Sequence, residues 1–166
     1  MPFTAAQLTA LKTDLVNDAT LLQQAENGDY NGVADAYNAA ANPAFWCWRT
    51  SVAKSEYVSS TSGDSTVFSW TSYIGRSQGE RDAWKELFNG KETCNPSLAN
   101  VQQAFADIFS GAGGAGNRTH LSAISRRKAT RCEKVLATGT GSTASPGQFT
   151  FQGTMEPSDV GAILSA

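Results

Sequence analysis

The chain has 166 residues and a mass of 17.6 kDa, the length of one domain or of one domain with long arms. No apolar run approaches the ~20 residues of a membrane span, and MPFTAAQLTALKTD has no basic stretch ahead of an apolar block, so a soluble, intracellular chain without a secretory signal is expected. Charged residues make up 17%, against a usual ~25%, while 24 Ala, 33 Ser plus Thr and 15 Gly stand in their place. Such a small, polar, weakly charged surface suits a protein whose outside is covered by other chains.

The three cysteines, Cys47, Cys94 and Cys132, are odd in number and far apart, which argues against a disulfide framework. With no C-x-x-C pair and a single histidine, no structural zinc site is expected, and no metal or cofactor of any kind. Free thiols in a reducing compartment are the simpler expectation.

Residues 4 to 25 read as a first helix, with Thr4 and Gln7 at capping-box spacing and Leu8, Leu11, Leu15 and Leu22 in one stripe. A second runs from about Asn31 to Ala41, stopped by Asn42-Pro43 because the residue before proline avoids the helical region. Phe45-Trp46-Cys47-Trp48 follows as the densest aromatic knot; Trp46 and Trp48 are candidates for core or interface. The Ser/Thr-rich connector from Ser59 to Ser77 contains Val67, Trp70, Tyr73 and Ile74, which would form one or two helical turns laid on the core. Ser77 and Glu80 open a helix through Trp84 and Phe88, closed by Asn89-Gly90. Asn95 as N-cap and Pro96 at the first helical position start the clearest helix, striped by Leu98, Val101, Phe105, Ile108 and Phe109.

Past a glycine loop, Thr119 to Arg126 and Ala129 to Ala137 read as short helices, the second with Thr130 and Glu133 as capping pair. GTGSTASPG reads as a flexible loop, and Phe149 to Thr154, FTFQGT, alternates in period two as a strand. Pro157 to Ala166 adds a last helical turn or two. A lone strand needs a partner, either the weak stretch Val135 to Thr138 or the sheet of another protein. The expected fold is mainly α: a helical core domain over 1–138 with an extended loop-strand tail over 139–166 used for subunit contacts. The tail is expected to be unstructured before assembly, with Phe149 and Phe151 as strand-docking residues.

Net charge is −2 but unevenly distributed. Residues 1–117 carry −5, residues 118–134 carry +5 and the remaining tail −2. The basic block holds Arg126, Arg127, Lys128, Arg131 and Lys134, of which Arg127, Arg131 and Lys134 would share a helical face. This face would meet phosphates or an acidic partner, or else form a solvated helix end. No base-reading module accompanies it, so sequence-specific DNA recognition is not expected. Gly111, Gly113 and Gly116 spell G-x-G-x-x-G but follow a helix-periodic stretch rather than a strand, so they read as a helix–helix loop. His120 stands alone, no G-x-S-x-G elbow is present and neither Cys94 nor Cys132 is singled out as its partner. Asn117-Arg118-Thr119 is only formally a glycosylation sequon. No catalytic residues are assigned.

Three stretches, NPAFWCWRTSV (Asn42–Val52), SLANVQQAFADIFSG (Ser97–Gly111) and SRRKATRCEKVLATGTGSTASPGQFTFQGTMEPSDV (Ser125–Val160), together resemble the head-to-tail adaptors, or connectors, of tailed double-stranded DNA bacteriophages. The resemblance covers about half the chain, its third stretch being the most specific, and the connector up to Gly75 lies outside it. It implies a non-enzymatic virion protein of the neck, made in the bacterial cytoplasm. Such a protein forms a ring of about twelve copies beneath the portal, contacts portal and tail or tail-nozzle proteins, and lines the channel through which DNA slides. A tail-terminator or head-decoration role is the neighbouring expectation, a small non-specific DNA-binding protein the next. An enzyme is the weakest.

Overall fold

The computed structural model describes residues 3–166. Among them, ten α-helices and four short strands follow one another as α1 (Ala5–Asn17), α2 (Ala19–Glu26), α3 (Tyr30–Asn38), β1 (Trp46–Trp48), β2 (Val52–Ala53), α4 (Lys54–Ser59), α5 (Trp70–Ile74), α6 (Gln78–Glu86), β3 (Thr93–Cys94), α7 (Ala99–Ile108), α8 (Ala115–Ile124), β4 (Arg126–Lys128), α9 (Arg131–Leu136) and α10 (Pro157–Ser165). The fold is mainly helical, with two two-stranded sheets: β1 beside β4, and β2 antiparallel to β3 with Val52 opposite Cys94. The chain divides into two compact units. Unit 1 joins residues 1–47 to 128–166, and unit 2 is residues 48–127.

Unit 1 is built from both ends of the chain. Thr4 and Gln7 form the expected capping box, the Gln7 amide donating to Thr4 Oγ1 at 3.3 Å and the Thr4 amide to Gln7 Oε1 at 2.9 Å. The long first helix expected over 4–25 is instead two. Asp18 takes extended backbone, and its carboxylate accepts from the amides of Thr20 and Leu21 at 3.1 and 3.2 Å, so it starts α2 rather than continuing α1. Leu11, Leu15, Leu21, Val33, Tyr37, Cys132, Leu136, Phe151, Met155, Val160 and Ile163 fill this unit's core.

The C-terminal segment belongs to that core, and the extended tail with a docking strand is corrected accordingly. Phe149 to Thr154 is not a strand. Pairing stops at single bridges, Thr138 with Gln148 and Cys47 with Gly147. Phe151 is buried with its ring 4.8 Å from that of Phe3, and α10 packs on α3. Side chains satisfy the backbone that a neighbouring strand would otherwise pair. Gln7 donates to the Thr150 carbonyl, and Asn38 accepts from the Met155 amide at 2.7 Å and donates to its carbonyl at 2.9 Å. The loop GTGSTASPG is packed rather than loose. Gly141 has φ +66° beneath the Phe45 ring, where a Cβ would collide with it.

Unit 2 surrounds Trp84, which meets the rings of Phe68, Phe88, Phe105, Phe109 and Tyr57. Ser77 and Glu80 cap α6 as expected. Helix α7 begins three residues later than the Asn-Pro signal suggests, because Asn95 Oδ1 accepts from the Ser97 amide and hydroxyl and holds a turn ahead of the helix. The glycine-rich segment is a helix–helix connection, a 3-10 turn at Ala112–Gly114 leading into α8. Gly114 is required there, since a Cβ would strike the Phe109 backbone.

Candidate functional site

The five basic residues do not share a helical face. Arg126, Arg127 and Lys128 form β4, and only Arg131 and Lys134 are helical, which corrects the i, i+4, i+7 expectation. The cause is the Thr130 cap. Thr130 Oγ1 accepts from the Glu133 amide, so α9 cannot begin before Arg131. In unit 1, Arg131 bonds Asp14 at 2.9 Å and Asp18 at 2.6 Å, its guanidinium 5.3 Å from the Tyr37 ring centre. Lys134 donates to the Pro43 carbonyl at 3.3 Å, and Lys128 lies 5.6 Å from the ring centre of half-buried Trp46. In unit 2, Arg126 pairs with Asp64.

Arg131, Lys134, Asp14, Asp18 and Asn42 line a polar cleft of about 380 Å³ in which the cationic charge is matched by carboxylates. The Arg131 guanidinium and the Leu21 amide hold the Asp18 carboxyl below its usual range. Arg49 does the same for Glu56 by a two-point bond at 2.7 and 3.1 Å.

Phe151, expected to dock on a neighbour, is a core residue of unit 1, while Phe149 is half-buried. The histidine is structural. Fully buried His120 has Nε2 2.7 Å from the Tyr57 carbonyl, to which it donates, and Nδ1 3.1 Å from Thr66 Oγ1. Beside it Asn117, also fully buried, accepts from the Ser69 amide at 2.7 Å and donates to the Ser69 carbonyl at 3.1 Å. The sequon asparagine is thus engaged in the interior.

These two side chains on one face of α8 strap down residues 62–69, and the strap delivers α5. Ser69 is both the point of attachment and the N-cap of α5, accepting from the Ser72 amide. Phe68 turns into the core. Val67, Trp70 and Ile74 instead stand 62%, 52% and 65% exposed. The expectation that these three would lie on the core is therefore reversed, with Tyr73 alone of that set half-buried. Their 67/70/74 spacing reads as one helical stripe in the sequence, but only Trp70 and Ile74 are on α5, Val67 lying in non-helical backbone ahead of the Ser69 cap. What the sequence does not reveal is that Phe68 and Trp84 already fill the space beneath.

On another face of α8, Arg118 and Ser122 join Gln102, Phe105, Ala106 and Trp48 around a slot of about 190 Å³ between α7 and α8. A third hollow of about 330 Å³ lies beside Leu87, Cys94 and Leu98. No group of three or more His, Cys, Asp or Glu side chains that could hold a metal ion is found among the described residues, and no helix among them is long and apolar enough to cross a membrane. No model of a known protein family, no curated protein and no solved structure matches the chain.

Proposed function

We propose that this chain is a structural subunit of a tailed-phage particle, a head-to-tail adaptor that forms a ring with copies of itself beneath the portal and meets the tail below. The observation that carries the reading is the apolar edge of α5. Trp70 and Ile74 on α5, with Val67 in the segment just before it, are three exposed large apolar side chains within eight residues, whereas Val16, Tyr30 and Leu98 are exposed singly along the chain. Apolar side chains gathered at one edge mark a contact surface, whereas singly scattered ones need no explanation. The resemblance of Asn42–Val52, Ser97–Gly111 and Ser125–Val160 to the adaptors supplies the setting. Contact with portal protein and sliding DNA belongs to the same proposal. Within it, Lys128 is the exposed member of the basic block, while Arg126 and Arg131 are matched by carboxylates of their own unit.

The test is the copy number of the chain in purified particles, measured by quantitative mass spectrometry against the portal protein. A one-to-one ratio supports the neck. Hundreds of copies would move the protein to the tail tube or head surface, and absence from the particle would overturn a virion role.

A further inference from the structure

We infer that Asn89 is a self-modification site. In the folded chain the Gly90 nitrogen displaces the side-chain amide of Asn89, and hydrolysis of the resulting cyclic imide leaves aspartate or isoaspartate, while the two other Asn-Gly pairs stay intact. This goes beyond the adaptor reading and does not depend on it.

The chemistry needs only the chain and water. The Gly90 nitrogen bonds to Cγ of Asn89, the Cγ–Nδ2 bond breaks, and the proton from Gly90 leaves with the nitrogen as ammonia. Water then adds to either carbonyl of the imide. Opening on one side restores the ordinary backbone with an aspartate side chain, and opening on the other routes the backbone through Cγ as isoaspartate. Glycine as the following residue favours the attack, because it has no side chain to block the approach and its backbone turns freely. The sequence has three such pairs, Asn27-Gly28, Asn31-Gly32 and Asn89-Gly90.

The fold separates the three. The Gly32 amide donates to the Asp29 carboxylate at 3.0 Å in the first turn of α3, and that carboxylate fills the space beside Gly32. The Gly28 amide donates to the Ala25 carbonyl at 3.1 Å. Asn89 and Gly90 are both exposed in the turn after α6, and the Gly90 amide makes no hydrogen bond among the described residues. Its neighbours are held, the Asn89 amide on the Glu86 carbonyl at 3.1 Å and the Lys91 amide on that of Phe88 at 3.0 Å. Nothing lies within 4 Å of the point where a Gly90 side chain would begin. A bonded amide attacks only after local opening, and breaking one such bond first slows the reaction about fivefold. Conversion also has a structural consequence. Glu86 accepts from Asn89 Nδ2 at 3.0 Å, and the product sets a second carboxylate against it. Isoaspartate further lengthens the backbone directly after Phe88, whose buried ring lies 5.2 Å from that of Trp84.

The experiment incubates the full chain at mildly alkaline pH, once in native buffer and once in urea. Peptide mapping by mass spectrometry follows each asparagine, and enzymatic methyl-labelling detects isoaspartate. The folded chain should convert Asn89 about fivefold or more faster than Asn27 or Asn31. In urea the three rates should come together, because the bonds that protect Gly28 and Gly32 are gone. Asn89→Gln, at an exposed position, should remove the native conversion, since a glutamine has to close a larger ring; circular dichroism verifies that this variant folds. A folded chain in which Asn89 stays intact, or in which Asn27 or Asn31 converts as fast, would overturn the inference. So would an unchanged ranking in urea, which would mean that the neighbouring sequence and not the fold sets the rates. Each of these outcomes leaves the particle copy number, and with it the adaptor reading, to be decided separately.

Discussion

Asn117→Ala should release the strap without unfolding the protein. The amide makes two bonds to Ser69, at 2.7 and 3.1 Å, and it is the last side-chain anchor before α5 begins. Each such bond contributes about 1 kcal/mol net. Ser69 is exposed, so water can reach its amide and carbonyl once the side chain is gone, and the larger penalty for a stranded buried group does not apply. The loss is therefore about 2 kcal/mol, concentrated on residues 66–74, which corresponds to roughly a 30-fold rise in their local opening equilibrium. Amide hydrogen exchange reads this directly: exchange at Ser72, Tyr73 and Gly75 should quicken by that factor, while amides of α7 and of unit 1 stay as they were. Asn117→Asp should do at least as much harm at neutral pH, because a carboxylate keeps the acceptor but faces the Ser69 carbonyl oxygen. A change of less than about 3-fold in residues 66–74 for Asn117→Ala would refute the reasoning and leave Phe68 packing as the true anchor.

The remaining predictions concern unit 1 and the thiols. Asp18 has a folded pKa below its unfolded value, so its pairing contributes stability above the ordinary carboxylate range and loses it as pH falls through the folded value; Arg131→Met should flatten that acid limb by under about 1 kcal/mol, the scale of a half-exposed pair, and parallel limbs in denaturant titrations from pH 6 to pH 2 would contradict it. All three cysteines are buried, and burial pushes the Cys132 thiol up to about 12, so a thiol reagent at pH 8 should label none of them until denaturant is added; rapid native labelling would count against the packing around them. Phe151→Ala should cost about 3–5 kcal/mol, as for a core phenylalanine, measured by denaturant unfolding, whereas a docking residue would leave the isolated protein's stability unchanged.

What was legible in the sequence is what local chemistry decides. The Thr4–Gln7, Ser77–Glu80 and Thr130–Glu133 boxes each start a helix where their spacing says, because the reciprocal bonds involve only three residues of separation. Asp18 was missed for a local reason too: a leucine stripe runs through it, and the periodicity outvoted a capping residue. Tail and connector failed for a different reason. Phe149–Thr154 alternates like a strand, yet Phe151 and Met155 are drawn into a core whose other wall is Leu11, Leu15 and Tyr37, more than a hundred residues away. In the connector, nothing within Ser59–Ser77 tells Phe68 from Val67. Only the position of Trp84, Phe109 and His120 decides which of the two is buried. The short strands β1 to β4 lie below any sequence signal, their pairing being fixed by the elements that flank them.

Charge shows most plainly why order along the chain is a poor guide to surface. The sequence separates an acidic body from a basic block at 118–134, but the structure cuts across that block. Unit 2 ends at Arg127 and is closed on itself, with the Arg49 amide donating to the Ser125 carbonyl at 2.8 Å. Unit 1 closes in the same way, the Ala129 amide donating to the Phe45 carbonyl and the Arg131 amide to that of Ala39. Residues 48–127 are thus an insertion between two halves of one unit, a place where chains accept whole domains because the ends lie together. Lys128, Arg131 and Lys134 consequently fall in unit 1, whose four basic and eight acidic residues give −4, while unit 2 has nine and seven, or +2. A run of cations that looks like a partner's landing site is, in its second half, the internal counter-charge of an acidic unit, and Arg131 between Asp14 and Asp18 is where that neutralisation is made. At the edge of α5, by contrast, the Trp70 ring packs on Phe68 and Tyr73 and yet Trp70 and Ile74 keep more than half their surface exposed, which is why this edge and not the basic block carries the functional proposal.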